Sequence, residues 1–260
     1  MITPVLNAAD TIGEAVESVL GQSGTEFEHV VVDGGSTDGT LRILERYPHL
    51  KVLNDPAGDQ SHSMNVGFDA SSGEVISYLN GDDAYESGAF AEVQRCFAAN
   101  PETKFLVGGL RLFQDGQAER ISVGNVAFER MLRYFDRDFI PLNPACYFYR
   151  REVQEAVGPF DPGLPYTMDY KFLLEAALRF PFSRSEKVLG RCRLHADTKT
   201  GRTSSVKETW RKARFSTAYY RHLPWGRRLL ANLWYVTEGH WLGQKLVGKA
   251  AWKIRKLLGG

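Results

Sequence analysis

His29-Val30-Val31-Val32-Asp33-Gly34-Gly35-Ser36-Thr37-Asp38-Gly39-Thr40 is the stretch whose reading decides the fold. The valine run has the β-branched makeup of a buried strand. It stops in Asp, Gly and Ser, which favour turns, and Leu41, Ile43 and Leu44 then open a helix. Upstream, an apolar run from Ile2 to Leu6 ends at Asn7. Thr11 with Glu14 reads as a capping box for a helix that puts Ile12, Ala15, Val16, Val19 and Leu20 on one face. Downstream come a third strand over Lys51 to Leu53 and a short helix around Ser63 to Ala70. A strand over Glu74 to Leu79 then ends in Asn80-Gly81-Asp82-Asp83. Strands alternating with helices at this spacing imply an α/β fold, a mixed but mainly parallel sheet flanked by helices. Ligands of such sheets bind beyond the carboxyl ends of the strands. Asn7, Asp33, Asp82 and Asp83 are therefore expected to share one crevice.

Composition bounds the rest. The 260 residues carry 32 Lys plus Arg against 31 Asp plus Glu, with 43% hydrophobic and 24% charged residues. A chain of that makeup buries a real core, which excludes collagen, a disordered tail and a disulfide-stapled miniprotein. Cys96, Cys146 and Cys192 are an odd set without C-x-x-C spacing. No zinc knuckle or disulfide framework is legible, and a reducing cytoplasm is the expected compartment. No stretch approaches about 18 consecutive apolar residues, and the N-terminus lacks the basic-then-apolar pattern of a secretory signal.

The near-zero total charge hides an asymmetry. Residues 206–260 hold 12 Lys plus Arg and 2 acidic residues, whereas residues 1–205 hold 20 and 29. All five tryptophans, Trp210, Trp225, Trp234, Trp241 and Trp252, fall in that basic segment. Two domains follow: a body over 1–205 and a basic amphipathic helical tail over 206–260.

Asp82-Asp83 is the most chemical feature of the body. Two adjacent carboxylates after a buried strand repel unless a cation sits between them, and hard divalent ions favour oxygen ligands. Asn-Gly-Asp-Asp also reads as a solvated turn, since each residue type favours turns. The loop after Asp33 has neither the G-x-G-x-x-G of a dinucleotide site nor the Gly-Lys-Ser/Thr of a P-loop. Thr37-Asp38-Gly39-Thr40 echoes an aspartyl-phosphatase motif, but Ser36 stands where a second Asp is needed.

Taken together, several segments resemble one family. They are Thr3-Pro4-Val5-Leu6-Asn7, Val31 to Thr40, Gly58-Asp59-Gln60-Ser61-His62-Ser63-Met64-Asn65-Val66-Gly67 and Leu79-Asn80-Gly81-Asp82-Asp83. Gly158-Pro159-Phe160-Asp161, Met168-Asp169-Tyr170 and Arg193-Leu194-His195 follow in order. The combination resembles family 2 glycosyltransferases of the GT-A fold over about residues 1–200. The resemblance implies an inverting, nucleotide-sugar-dependent transferase. By it, Pro4, Val5, Asn7 and Asp33 would contact the nucleobase and ribose, and the Gln60 to Asn65 segment would close over the donor. Asp83, assisted by Asp82, would hold Mg2+ or Mn2+ against the donor diphosphate, with His195 as a further ligand. Arg193 and Lys199 would add positive charge nearby or lie on the surface. Leu6 and Gly34 stand where relatives often carry an aromatic residue and a second Asp.

Inversion also needs a base, and Asp169 is the candidate. It precedes a helical pattern with Phe172, Leu173, Ala176, Ala177 and Phe180 on the buried face. A helix N-terminus favours the ionised carboxylate, although an Asp there also serves as a plain cap. His195 follows an expected strand over Lys187 to Leu194. Acceptor choice is expected to lie within residues 110–165, where Phe113, Tyr134, Phe135, Phe139, Tyr147 and Tyr149 stack on sugars or fill the core.

In the tail, Ser205-Val206-Lys207-Glu208 reads as a capping box and Pro224 as a first-turn residue. Leu242, Leu246, Ala250, Ile254 and Leu257 form an apolar stripe beside Lys245, Lys249, Lys253 and Lys256. Such a helix lies in a membrane interface, on the inner face of the cell membrane, or packs on the body with its lysines in water. The acidic body argues against nucleic acid as a partner. The expected activity is transfer to a glycan or lipid-linked saccharide. Its alternatives are a non-catalytic nucleotide-sugar or glycan-binding module and a metal-dependent nucleotidyltransferase.

Overall fold

A computed structural model describes residues 1–56, 59–113, 119–124, 127–132, 143–164, 167–194, 218–221 and 223–229. The N-terminal half is a parallel three-stranded sheet in the order β1 (Ile2–Val5), β2 (His29–Asp33), β3 (Leu50–Asn54). Every residue of β1 and β2 is buried, while β3 is the half-exposed edge. Helix α1 (Ile12–Leu20) joins β1 to β2 and α2 (Thr40–Leu44) joins β2 to β3. Ile12, Ala15, Val16 and Val19 of α1 are buried as the periodicity requires. Leu20, at the helix end, is exposed.

The capping box read at Thr11 and Glu14 does not form. Thr11 makes no side-chain cap, and its hydroxyl reaches back to the Ala8 carbonyl. Glu14 is taken by Arg191 at 2.7 Å and Arg193 at 3.1 Å, both from the far end of the body. A tertiary ion pair outcompetes the local motif.

Helix α3 (Gln60–Asp69) begins earlier than its apolar spacing indicates, because Asp59 caps it by accepting from His62 N at 3.0 Å. Strand β4 (Val75–Ile76) follows, and the chain then runs beside β1. Ile2 N donates to the Ser77 carbonyl and Leu79 N to the Ile2 carbonyl, forming a parallel bridge from Ile2 to Tyr78. Residues 75–79 thereby join the parallel sheet to a second one. That sheet has the order β4, β8 (Tyr147–Arg150), β6 (Phe105–Phe113), β9 (Phe182–Arg193), β5 (Asp83–Tyr85), with β7 (Arg120–Val123) hairpinned on β6. Only its β6–β9 pairing is parallel; the other four are antiparallel. The architecture is thus mixed α/β, with the parallel order concentrated in the first half.

Helices α4 (Ala89–Ala99), α5 (Phe128–Met131), α6 (Arg151–Val157) and α7 (Met168–Arg179) complete the body. The core between the sheets and α7 is aromatic: Phe105 stacks on Phe182 at 3.8 Å and on Tyr149 at 5.2 Å between ring centroids. Tyr149 in turn meets Phe172. Tyr147 and Tyr149 are fully buried core residues rather than sugar-stacking surfaces. Tyr134, Phe135 and Phe139 lie outside the described residues, as do His195, Lys199, the motif at 205–208 and the stripe over 242–257. Of the tail, residues 225–229 are helical, with Arg228 N bonded to the Pro224 carbonyl at 3.0 Å. Among the described residues no helix is long and apolar enough to cross a membrane.

Candidate active site

Parallel strands that run side by side end on one edge, so Asn7, Asp33 and Asn80 to Asp83 emerge together. The loops after β1 and β2 are laced to each other. Asn7 N donates to Ser36 Oγ at 2.8 Å, Ala8 N to Thr40 Oγ1 at 2.9 Å and Ala9 N to Asp38 Oδ2 at 3.0 Å. Asn7 Oδ1 accepts from Thr37 N at 2.9 Å, with φ at 50°, a region Asn tolerates. The Thr40 hydroxyl and then the Ala9 N–H hold the Asp38 carboxyl below its ordinary range. Asp33 is sealed at the base of this loop. Its Oδ2 accepts from Gly35 N and Ser36 N at 3.0 and 2.9 Å, while Oδ1 is buried with no hydrogen-bond partner. Pro4 and Val5 are buried in β1 beside Val32 and Asp33. Leu6, just beyond them, is exposed.

The Asn80-Gly81-Asp82-Asp83 segment is not a solvated turn. Gly81 lies so close to β1 that a Cβ there would meet Val5 Cγ2 at 3.1 Å. Asp83 is buried at the head of β5, opposite Cys192 of β9. Its Oδ2 accepts from Asn80 Nδ2 and from Asn143 Nδ2, each at 2.8 Å. Its Oδ1 is buried and makes no regular hydrogen bond. Burial first, and the neighbouring Asp82 charge second, push the Asp83 carboxyl up to about 6, against the pull of the two amides. Burial and the Asp83 carboxylate together raise the Cys192 thiol, and burial pushes Cys146 up to about 12. Both thiols are therefore uncharged at neutral pH, which makes them poor nucleophiles.

Helix α3 connects this carboxylate to the candidate base. At its start Gln60 Nε2 donates to Asn80 Oδ1 at 2.9 Å, and the next residue, Ser61, donates to the Met168 sulfur. Met168 opens α7 and Asp169 follows it, half-buried, in the first turn. Asp169 is not the cap; Thr167 occupies that position, and Asp169 Oδ1 accepts from Tyr170 N at 2.7 Å. Burial first and the Asp169 charge second push the Tyr147 phenol well above its usual range. Asp169 is thus within electrostatic reach of the strand that follows Asn143. Asp83 and Asp169 are brought to the same end of the molecule from positions far apart in the chain.

Asn65 differs from the expected donor contact. Its amide is spent on the Phe160 backbone, accepting from the N–H and donating to the carbonyl, both at 2.8 Å. Asp161 pairs with Lys171 Nζ at 3.0 Å, which lowers its carboxyl below the ordinary range. The Gly158 to Asp161 segment is therefore a brace between α3 and α7. Arg193 also has a structural task, bridging to Glu14 and covering the Phe113 ring. Asn143 escapes sequence reasoning as a site residue. The Asn143-Pro144 pair signals a capped turn, but nothing in its spacing points to Asp83.

Among the described residues no cluster of three or more His, Cys, Asp or Glu can cage a metal by itself. Asp82 and Asp83 offer something narrower: carboxylate oxygens, one of them buried without a regular partner. That set fits Mg2+ or Mn2+ of the kind held by one or two carboxylates, with substrate phosphates completing the shell.

Comparison with known proteins agrees with this layout. An S. aureus TarS 1-349 crystal structure in complex with UDP-GlcNAc superposes with a TM-score of 0.67 at 22% identity, covering 85% of this chain and 66% of that one. The shared architecture is the GT-A fold. A PGL/p-HBAD biosynthesis glycosyltransferase of Mycobacterium bovis is 28% identical over 182 residues, 66% of each protein. An uncharacterized glycosyltransferase of Nostoc sp. is 28% identical over 170 residues, 60% of this chain and 52% of that protein. The chain spans only 36% of a Rickettsia felis relative, also an uncharacterized glycosyltransferase. The model of glycosyl transferase family 2 matches residues 1–158, the part that builds the laced loops and the Asp83 network, and the chain belongs to that family.

Proposed function

We propose that the protein moves a sugar, with inversion, from a nucleoside-diphosphate sugar to a hydroxyl of a glycan or lipid-linked saccharide. The observation that carries this reading is the Asp83 carboxylate, fixed at one oxygen, unpartnered at the other and set beside Asp82 where the strands end. Asp82 and Asp83 would hold a divalent ion, which when bound supplies Lewis-acid neutralisation of the charge growing on the departing diphosphate. Asp33 and the laced loops shape the edge that takes the nucleobase and ribose, and Gln60 closes it from α3. Asp169 takes the proton of the acceptor hydroxyl as that oxygen attacks the anomeric carbon. The bond from that carbon to the diphosphate oxygen breaks on the opposite face.

The UDP-GlcNAc bound by TarS makes uridine nucleotides the first donors to test. A thermal-shift series with UDP, UDP-sugars and the other nucleoside diphosphates, with and without Mn2+, is expected to show one base raising the midpoint, more so with the ion. Transfer assays with that donor should release a nucleoside diphosphate rather than pyrophosphate and a monophosphate. Indifference of the midpoint to every nucleotide would overturn the reading.

We also propose that the tail holds the protein to the inner face of the cell membrane. Trp225 is 81% exposed and Leu229, one helical turn on, is 51% exposed, beside Arg221, Arg227 and Arg228. Aromatic and aliphatic side chains flanked by arginines suit an anionic lipid surface. Flotation with phosphatidylglycerol liposomes is expected, reversed by high salt and abolished by deleting residues 224–260. Retention of binding after that deletion would refute it.

A further inference from the structure

Asn143 and Asp83 are 60 positions apart, yet their side chains meet at 2.8 Å inside the molecule. We infer that Asn143 is a positioning residue that fixes the Asp83 carboxylate so that Oδ1 faces the cation and the donor diphosphate. The inference rests on the metal-dependent transfer proposed above.

The amide of Asn143 has no freedom to turn over. Its Oδ1 accepts from Ala145 N at 2.8 Å, capping the 3-10 turn Pro144–Cys146. With the oxygen committed to a backbone N–H, the Nδ2 end must face Asp83. Asn80 is oriented in the same way, because its Oδ1 accepts from Gln60 and leaves Nδ2 for Asp83. Two N–H donors of fixed direction converge on Oδ2 and occupy both its lone pairs. Rotation of the carboxylate would break both bonds, so Oδ1 stays where it is. A buried oxygen without a partner is costly in a finished fold, and a bound cation is the species that removes the cost.

The turn that carries Asn143 is itself wedged in place. Gly190 of β9 approaches so closely that a Cβ there would lie 2.5 Å from the Ala145 carbonyl oxygen. Two residues further along the same strand, Cys192 pairs with Asp83. The clamp and the carboxylate are therefore referenced to one strand, the rigid mounting that a metal-binding oxygen needs.

The test separates the cap from the clamp. Serine and threonine are competent caps, but their hydroxyls end too short to span the distance to Asp83. Wild-type, Asn143→Ser, Asn143→Thr and Asp83→Asn proteins are titrated with Mn2+, alone and with UDP, following the free-ion EPR signal, and each is melted in parallel. Loss of a partner oriented in this way weakens metal binding about 10-fold or more. The serine and threonine variants should show that loss with a thermal midpoint close to wild type, and Asp83→Asn should not bind. Mn2+ affinity within twofold of wild type in a folded serine or threonine variant, with Asp83→Asn inactive in binding, would overturn the role of Asn143 alone. Failure of both variants to fold while Asp83→Asn folds would overturn it too, by making Asn143 a folding residue. Wild-type protein that takes up no Mn2+, or Asp83→Asn protein that takes it up normally, would instead remove the metal reading itself.

Discussion

Asp83→Asn loses transfer activity on the order of 10³-fold, through loss of about 4 kcal/mol of transition-state stabilisation, and the variant protein stays folded. The two halves of that expectation come from the same geometry. The asparagine can place its carbonyl oxygen where Oδ2 stood, still accepting from Asn80 and Asn143. Its amide then fills the position of Oδ1, which has no regular partner to lose. Removing the charge also ends its repulsion with Asp82, one of the two causes that raise the Asp83 carboxyl to about 6. Linkage gives this a sign. A carboxyl whose proton is held more tightly in the fold than in the unfolded chain costs no stability below its ordinary value of 3.8, and its cost grows as pH rises to about 6. Wild-type protein should therefore lose stability across that window, and Asp83→Asn should not. Metal-dependent activity has the opposite slope, since the ion needs the charged form, so the wild-type rate at low donor concentration should rise through pH 6. Denaturant melts and rate profiles over pH 4 to 8 check both. A variant that retains a tenth or more of wild-type turnover would remove Asp83 from the chemistry and favour a non-catalytic binding module.

The parts of this arrangement legible in the sequence are those whose cause is local. The Val30 to Val32 run, the turn formers after Asp33 and the Asn-Gly-Asp-Asp segment each declare a strand end by composition, and parallel neighbours place such ends together. The second sheet was less legible, because β6, β8 and β9 are stabilised by stacking Phe105 on Tyr149 and Phe182, contacts between distant segments. Local motifs also mislead where a distant group competes. Glu14 completes a capping box on paper, but two arginines from β9 claim it. Asn65 lies in a segment that resembles a donor-binding one, yet the Phe160 backbone takes its amide. Asn143 was invisible for the converse reason. Its role depends on a turn wedged against Gly190, a relationship that no spacing along the chain encodes.

Asp169→Asn is expected to lower kcat by 10²- to 10⁴-fold, the range for removal of a positioned general base, while nucleotide and Mn2+ binding stay near wild type. Asparagine keeps the oxygen that accepts from Tyr170 N, so the first turn of α7 retains its local bond. What it gives up is a negative charge at a helix N-terminus, about 0.3 to 1 kcal/mol of stability. The position of the residue is set by neighbours the substitution does not touch: Ser61 on Met168, Asn65 on Phe160 and Lys171 on Asp161. A fall in turnover therefore reports the proton acceptor and not a displaced helix. The contrast with Asp83→Asn is the informative part. Loss of the metal anchor should abolish the Mn2+-dependent thermal shift by nucleotide, whereas loss of the base should leave it intact and stop only the step that consumes acceptor. Turnover within tenfold of wild type, or loss of the nucleotide-induced shift in Asp169→Asn, would mean that the acceptor proton leaves by another group and that Asp169 serves α7 rather than the reaction.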